Sequence, residues 1–254
     1  MMDENARKQD PLRRFSPPRI VEHWVILAVF LALVATGLSQ RYCTLDLSRQ
    51  FILHLGGIDN VRFFHRMAGA FFAFVVTVHI ILGIIGIVVR RWQPSMVITK
   101  KDFIDIVRNI RYYLGLEEVP ARGGRYTYKQ KFEYWGILTS ALLMILTGAI
   151  LWFPVHITHY FPGEVIPAAK VMHANQALLA FLIIALWHVY NAVFSPDVFP
   201  LDASIFTGSI SRERMLEEHP EELAELEERN VEELLASSSP RDNGPDGRPP
   251  DRGE

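Results

Sequence analysis

Residues 171–194 form an unbroken run of 24 amino acids without Asp, Glu, Lys or Arg. At about 1.5 Å of rise per residue, a helix of this length crosses the ~30 Å hydrocarbon core of a bilayer. The run contains His173 near one end and His188 near the other. An ionisable side chain inside a membrane span is costly and usually functional. The run therefore predicts a transmembrane helix in which His173 and His188 have a functional role.

Apolar residues elsewhere are concentrated into three further blocks, separated by charged segments. Half of the 254 residues are apolar and 21% are charged, so their distribution and not their number identifies the class. A helical span satisfies its backbone hydrogen bonds internally, as the bilayer requires. We predict an all-α integral membrane protein that folds as a four-helix bundle. The predicted spans are residues 20–38, 63–89, 134–153 and 171–194.

The segments outside the spans differ in composition. Residues 1–19 predict a basic arm, and residues 90–131 a connector with a short amphipathic helix near 103–114. Within the C-terminal segment, 195–236, Glu, Leu and Arg recur at helical spacing over residues 213–233, which predicts an acidic helix there. Residues 237–254 are Pro, Gly, Asp and Arg with almost nothing apolar, which predicts a disordered tail.

Basic residues indicate the orientation. The N-terminal arm carries five Lys or Arg and the connector ten, whereas the loops 39–62 and 154–170 carry three and one. By the positive-inside rule, both termini, the connector and the acidic helix are cytoplasmic. We expect a multi-pass protein of the inner (cell) membrane of a bacterium or archaeon, with the two shorter loops in the periplasm.

A single cysteine, Cys43, limits the cofactors that this chain can hold alone. One thiol cannot form an intramolecular disulfide, a four-cysteine iron–sulfur site or the attachment site of a c-type haem. The net charge of −2 gives no reason to expect a nucleic-acid partner. A redox cofactor must therefore be held mainly by histidine.

The histidines of two spans are arranged in a similar way. His173 and His188 are about 22 Å apart along a helix and about 60° apart around it, and His65 and His79 about 21 Å and about 40°. Each helix thus presents two imidazoles towards one side at two depths. Haem needs this arrangement, and ligation by two histidines leaves no open iron position, which suits electron transfer.

Depth indicates which histidines face each other. His65 and His173 both lie near the periplasmic side and form one expected pair. His188 lies near the cytoplasmic side, where two partners are available. Depth favours His23, whereas position on the same helix as His65 favours His79.

Several short motifs are distributed along the chain. They are Arg-Ile-Val-Glu-His-Trp at 19–24, Thr-Gly-Leu at 36–38, His-Arg at 65–66, Glu-Tyr-Trp-Gly at 133–136, Thr-Gly at 147–148, Trp-His-Val-Tyr at 187–190, Phe-Pro-Leu-Asp at 199–202 and Thr-Gly at 207–208. Together they resemble the dihaem b-type cytochrome subunit of respiratory formate dehydrogenases and its relatives, over residues 15–220.

The resemblance implies a four-helix fold that binds two b haems between its helices and exchanges electrons with the quinone pool. It also implies that His23 pairs with His188 and His65 with His173. His79 departs from the family pattern, as a hydrogen-bonding neighbour, the true ligand or a sign of a further haem.

We therefore expect a b-type cytochrome subunit of a respiratory oxidoreductase. It would pass electrons between a quinone and a periplasmic subunit with iron–sulfur clusters or c haems, and would convert no organic substrate itself. Arg66 is a candidate partner for a haem propionate, or an interfacial side chain that snorkels to water. The candidate quinone residues are Glu22, Tyr190 and Asn191.

Two other functions are compatible with a helical membrane protein of this kind. One is a cofactor-free membrane anchor of a redox complex. The other is a histidine-based metal permease, although such a protein would be expected to carry Asp or Glu within its spans. Glu22, at the edge of the first span, is the one candidate here.

Overall fold

Helices make up most of the computed structural model, which describes residues 11–195 and 198–238. Within those residues a single pair of two-residue strands, β1 and β2, accompanies the helices. In chain order the elements are β1 (Leu12–Arg13), α1 (Pro17–Arg41), α2 (Asp46–His54), α3 (Ile58–Val88), α4 (Lys100–Tyr113), α5 (Tyr128–Trp152), α6 (Pro154–Tyr160), α7 (Val165–Ile183), α8 (Ser204–Thr207), β2 (Ser209–Ile210), α9 (Arg212–Glu218) and α10 (Pro220–Ser238).

Four of these helices, α1, α3, α5 and α7, are long and apolar enough to cross a membrane. The prediction of an all-α membrane bundle of four helices is therefore confirmed. Each helix begins three to six residues before the span predicted from composition. The additional turns carry polar residues, which an apolar window leaves out although they continue the helix.

The long helices pack as two antiparallel pairs, α1 with α3 and α5 with α7. The two pairs pack against each other less extensively, through α1 with α7 and α3 with α5. Most of their outward apolar side chains are exposed, as expected where lipid replaces water. We name the two ends of the bundle by their connections. The connector end is joined by residues 89–127, and the short-loop end by residues 42–57 and 153–164.

α7 does not end as an ordinary α-helix. It continues beyond Ile183 through two segments, Ile184–His188 and Tyr190–Phe194, which belong to the same membrane span and are counted with α7 below. These segments form π-helical turns, in which each hydrogen bond encloses one more residue than in an α-helix. Such a turn accommodates an inserted residue without breaking the helix. It therefore changes the rotation of His188 relative to His173.

A small folded cap covers the connector end; it consists of β1, residues 123–125 and the elements from α8 to α10. Strand β1 pairs antiparallel with β2, and Ile210, Met215 and Leu223 form an apolar core beneath them. The guanidinium of Arg14 lies 3.2 Å from the carboxylate of Glu222, which is also bound by Arg125 at 3.0 Å. The cap thereby joins both ends of the chain to the connector.

The cap differs from what composition predicts. Leu12 to Arg14 were expected in a solvated arm, but they contribute a strand and a buried cation to the cap. The acidic helix expected over 213–233 is interrupted at His219, because Pro220 disfavours helical geometry in the preceding residue. Residues 239–254, most of the predicted disordered tail, lie outside the described residues.

Candidate functional site

His65 on α3 and His173 on α7 face each other near the short-loop end. Their ring centres are 6.3 Å apart, and the ring planes are 82° apart. The predicted association of these two residues is therefore present in the fold. The space between the imidazoles lies inside the bundle, where helices from both antiparallel pairs meet.

A threonine fixes the orientation of each of these rings. Thr36 Oγ1 lies 2.9 Å from His65 Nδ1, and its hydroxyl also donates to the carbonyl of Ala32 at 2.6 Å. A hydroxyl has one proton, so once it is donated to the carbonyl the oxygen can only accept from the imidazole. His65 must then carry its proton on Nδ1, which leaves the lone pair of Nε2 free to bind a metal.

The other ring of this pair is held in the same way. Thr147 Oγ1 lies 2.9 Å from His173 Nδ1 and donates to the carbonyl of Leu143 at 2.7 Å. A glycine follows each threonine. A Cβ at Gly37 would lie 3.3 Å from His65 Cε1, and a Cβ at Gly148 would lie 3.3 Å from His173 Cε1. Glycine therefore lets each ring lie directly against the backbone of the neighbouring helix.

A second pair, His23 on α1 and His188 on α7, lies near the connector end. The ring centres are again 6.3 Å apart, and the planes are 37° apart. His188 Nδ1 donates to the carboxylate of Glu133 on α5 at 2.7 Å, so its Nε2 is free in this pair too. His23 Nδ1 is buried and has no hydrogen-bond partner among the described residues.

His79 has different surroundings from these four histidines. Its Nδ1 lies 2.6 Å from a carboxylate oxygen of Glu22, and its Nε2 lies 2.9 Å from the hydroxyl of Tyr134. The carboxylate can only accept, so Nδ1 donates to Glu22 and Nε2 accepts from Tyr134. Arg19 binds the same carboxylate at 3.1 Å. Both ring nitrogens of His79 are therefore engaged within the protein.

The geometry reveals an internal repeat that was not recognised from the sequence. Glu22-His23-Trp24 and Thr36-Gly37 on α1 recur 111 residues later on α5 as Glu133-Tyr134-Trp135 and Thr147-Gly148. In both halves the threonine binds the first histidine of the next long helix and the glutamate binds the second.

Two differences break this repeat. Tyr134 takes the place of His23, and the histidines of α7 are fifteen residues apart whereas those of α3 are fourteen apart. The π-helical turns that include His188 accommodate the additional residue.

The remaining predicted site residues are dispersed. The guanidinium of Arg66 lies 6.0 Å from the ring centre of Trp152, a cation–π contact. Glu22 binds His79, as described above. Tyr190 and Asn191 are exposed on the last turns of α7, where Asn191 donates to the carbonyl of Trp187 at 2.8 Å. Within 11–195 and 198–238, no group of three or more His, Cys, Asp or Glu is arranged to hold a metal ion.

Comparison with known proteins identifies the family. A family model described as prokaryotic cytochrome b561 matches residues 14–199. The chain belongs to the prokaryotic cytochrome b561 family. It is therefore a multi-pass membrane cytochrome, and membership implies haem b as a cofactor.

The relatives agree with the resemblance seen in the motifs, which is confirmed. The cytochrome is 24% identical over 190 residues to the formate dehydrogenase cytochrome b556(fdo) subunit of Escherichia coli K12, covering 74% of this chain and 82% of that subunit. It is 23% identical over 205 residues to the nitrate-inducible b556(Fdn) subunit of the same strain, covering 81% and 87%. For the formate dehydrogenase cytochrome b556 subunit of Haemophilus influenzae, the identity is 26% over 184 residues, covering 71% and 70%.

The histidine pairs of this cytochrome have the dimensions that haem requires. A metal–nitrogen bond of about 2 Å on each side, plus a ring radius of about 1.2 Å, places two ligand rings about 6.4 Å apart. Both observed separations are 6.3 Å. Three of the four rings also have Nδ1 bound to a protein oxygen, which leaves Nε2 available as a neutral metal ligand.

Proposed function

We propose that this cytochrome is the membrane subunit of a respiratory oxidoreductase and carries electrons through two haem b groups. His65 and His173 would hold one haem, and His23 and His188 the other. The observation that carries the proposal is the recurrence of one geometry, two imidazoles 6.3 Å apart, at both ends of the bundle. When bound, each haem iron supplies a reversible one-electron couple with no open position for substrate.

The protein's contribution is to hold the imidazoles in place. Thr36 and Thr147 accept from the two rings at the short-loop end, and Glu133 accepts from His188. These bonds fix the tautomer and the rotation of each ring before a metal binds, which lowers the cost of ligation. All the ligands lie on long helices, which are more rigid supports than loops.

We propose that His79 is not an iron ligand. Both of its nitrogens are occupied by Glu22 and Tyr134, and ligation would require breaking a hydrogen bond in a poorly hydrated interior. Tyr134 also occupies the position that corresponds to His23 in the other half of the repeat. A third haem at His79 is therefore disfavoured on the same grounds.

The orientation and the quinone site remain proposals. The ten basic residues of the connector support a cytoplasmic position for the connector end. The His23–His188 pair would then be the one nearer the cytoplasm. Tyr190 and Asn191 are exposed within one turn of His188, and with Glu22 they support a quinone site at this end.

The partner would bind on the other side of the membrane. The relatives are named as subunits of formate dehydrogenases, enzymes of more than one chain. We infer a periplasmic subunit with iron–sulfur clusters or several c haems that meets the short-loop end, near the His65–His173 pair. That subunit would determine the oxidised or reduced substrate.

The test is a haem count in purified single variants, read from reduced-minus-oxidised spectra. We expect a b-type α band and two haems per chain in the wild type, one haem in His23→Ala and two in His79→Ala. Loss of haem in His79→Ala with retention in His23→Ala would reverse the pairing. Absence of the α band from the wild type would favour a cofactor-free anchor, or a permease if the protein transports zinc in vesicles.

A further inference from the structure

Helix α4 in the connector has its polar face covered by protein. Asp102 is only 3% exposed, and its carboxylate binds Lys131 of α5 at 2.9 Å. Asn109 accepts from the backbone of Ala121 at 2.7 Å and donates to the hydroxyl of Tyr128 at 3.2 Å. The residues that would normally face water are therefore used to attach the helix to the rest of the chain.

The opposite face of α4 is apolar and uncovered. Ile104 is 64% exposed and Val107 58%, and Leu114 just after the helix is 68% exposed. Phe103 and Ile110 are also exposed, and the spacing of three and four residues places all five along one stripe. A helix in water buries its apolar stripe against a core. The arrangement in α4 is the reverse.

The position of α4 explains what can cover this stripe. The helix lies between α3 and α5, both of which are long enough to span a membrane. The ring of Phe103 contacts the ring of Phe132, in the second turn of α5, edge to face at 5.9 Å. Trp135, one turn further along α5, donates to the carbonyl of Met96 at 2.9 Å. The connector is therefore held at the level where α5 enters the bilayer.

Exposed basic side chains accompany the apolar stripe. At about 100° per residue, Lys100 and Arg111 project from the same face as the stripe, near the two ends of the helix, and Arg108 borders it. Arg111 also pairs with Glu117 at 3.2 Å. Long basic side chains in this position can lay their aliphatic part on apolar surface while the charge reaches lipid phosphate. Charge and shape together match the headgroup region of one leaflet.

We propose that α4 is an interfacial helix whose apolar stripe, from Phe103 to Leu114, inserts into the boundary between headgroups and acyl chains at the connector end. An amphipathic helix with a basic flank binds membranes in this way. The occupant is the leaflet itself, not a partner protein. The inference does not depend on the haem ligands.

Spin labels in the full-length chain in phosphatidylcholine and phosphatidylglycerol vesicles test this proposal. The single cysteine, Cys43, is first replaced by serine, and one label is then placed at Val107 and a matched label at Glu118 in the exposed loop beyond the helix. At Val107 we expect collisions with oxygen to exceed those with a water-soluble nickel chelate, and at Glu118 the reverse. A label at Ile104 should repeat the result for Val107.

Two outcomes would overturn the proposal. One is equal exposure of Val107 and Glu118 to the nickel chelate, which would place the stripe in water. The other is protection of Val107 from both reagents, which would indicate that protein covers the stripe. Unchanged helical circular dichroism in each labelled variant ensures that either result refers to the folded chain.

Discussion

Thr36 and Glu133 give the two proposed haem sites different chemical surroundings. At the short-loop end, both imidazoles donate to neutral hydroxyls, whereas at the connector end His188 donates to a carboxylate. A carboxylate is the stronger acceptor and makes the imidazole a more basic ligand. The two irons would therefore differ even though each has two histidine ligands.

Replacing Glu133 by glutamine tests that difference. We expect Glu133→Gln to weaken haem binding at the His23–His188 pair by about 10- to 100-fold, as is typical when an outer partner of a metal ligand is lost. We also expect its midpoint potential to rise while the other haem is unchanged. Transfer of haem to an excess of apomyoglobin measures the affinity, and a potentiometric titration measures the potentials.

The internal repeat provides a matched control for this experiment. Glu22→Gln makes the same chemical change, but its carboxylate binds His79, which is not a proposed ligand. We expect a clearly smaller loss of affinity and a smaller shift. Equal effects of the two substitutions would show that a nearby charge, and not the bond to His188, is responsible.

The sequence predicted the histidines and their depths in the membrane better than it predicted their hydrogen-bond partners. Helical spacing places His173 and His188 at two depths, and the alternating direction of the spans pairs His65 with His173 but leaves both His23 and His79 as possible partners of His188. The acceptors Thr36, Thr147 and Glu133 were visible only as parts of motifs. Their roles depend on the rotation of α1 against α3 and of α5 against α7, which one helix alone does not determine.

Among the elements, α7 shows why the repeat is hard to see. Its π-helical turns add one residue between the two histidines, so the spacing on α7 does not match that on α3. Tyr134 stands on α5 where the repeat would place a histidine that corresponds to His23 on α1, so that match is lost as well. The two halves still share the distance from Glu to Thr-Gly, which is fourteen residues in both α1 and α5. The residues between are mostly apolar, as in any membrane span, so they do not reveal the repeat.

The cap contains a titratable group that makes its stability depend on pH. His219 is fully buried and donates through Nδ1 to the carbonyl of Gly124 at 2.7 Å. Burial and the nearby Arg14 cation lower the pKa of this imidazole from 6.5 to about 4. Between these two values the unfolded cap binds more protons than the folded cap, so folding is favoured as pH rises.

We therefore expect the cap to be fully stable above about pH 6.5 and to lose up to about 3 kcal/mol as pH falls towards 4. Hydrogen exchange of the backbone amides in α9 and α10, measured across that range, would show the loss. His219→Gln can keep a hydrogen bond to Gly124 but cannot titrate, so its protection should change less. The same loss of protection in His219→Gln would assign the effect to other groups.

For the whole molecule, the proposed orientation depends on the distribution of Lys and Arg. Cys43 is exposed at the short-loop end and is the only cysteine of the chain, so it reports directly on that side. We expect a membrane-impermeant maleimide to label it in intact spheroplasts, and Cys43→Ser to remain unlabelled. Labelling only in inverted vesicles would reverse the orientation and with it the proposed side of the quinone site.

The overall architecture could be predicted because four apolar blocks in a chain of this length leave few alternatives to a helical bundle. The cap could not, because it is assembled from three distant segments that each look like solvated sequence. Arg14, Arg125 and Glu222 are ordinary surface residues by composition. Arg14 and Glu222 become buried partners only when the two ends of the chain meet, and Arg125, whose side chain is half exposed, binds the same carboxylate.

The central claim is that two pairs of histidines each hold a haem, and the electron paramagnetic resonance spectrum of the oxidised wild-type protein tests it most directly. Nearly perpendicular imidazoles leave two iron d orbitals close in energy and give a highly anisotropic low-spin signal, whereas more nearly parallel rings give a rhombic one. The ring planes are 82° apart at His65–His173 and 37° apart at His23–His188. We expect both signals, the anisotropic one lost in His65→Ala and the rhombic one lost in His23→Ala. A single low-spin signal, or signals that survive both substitutions, would contradict the account.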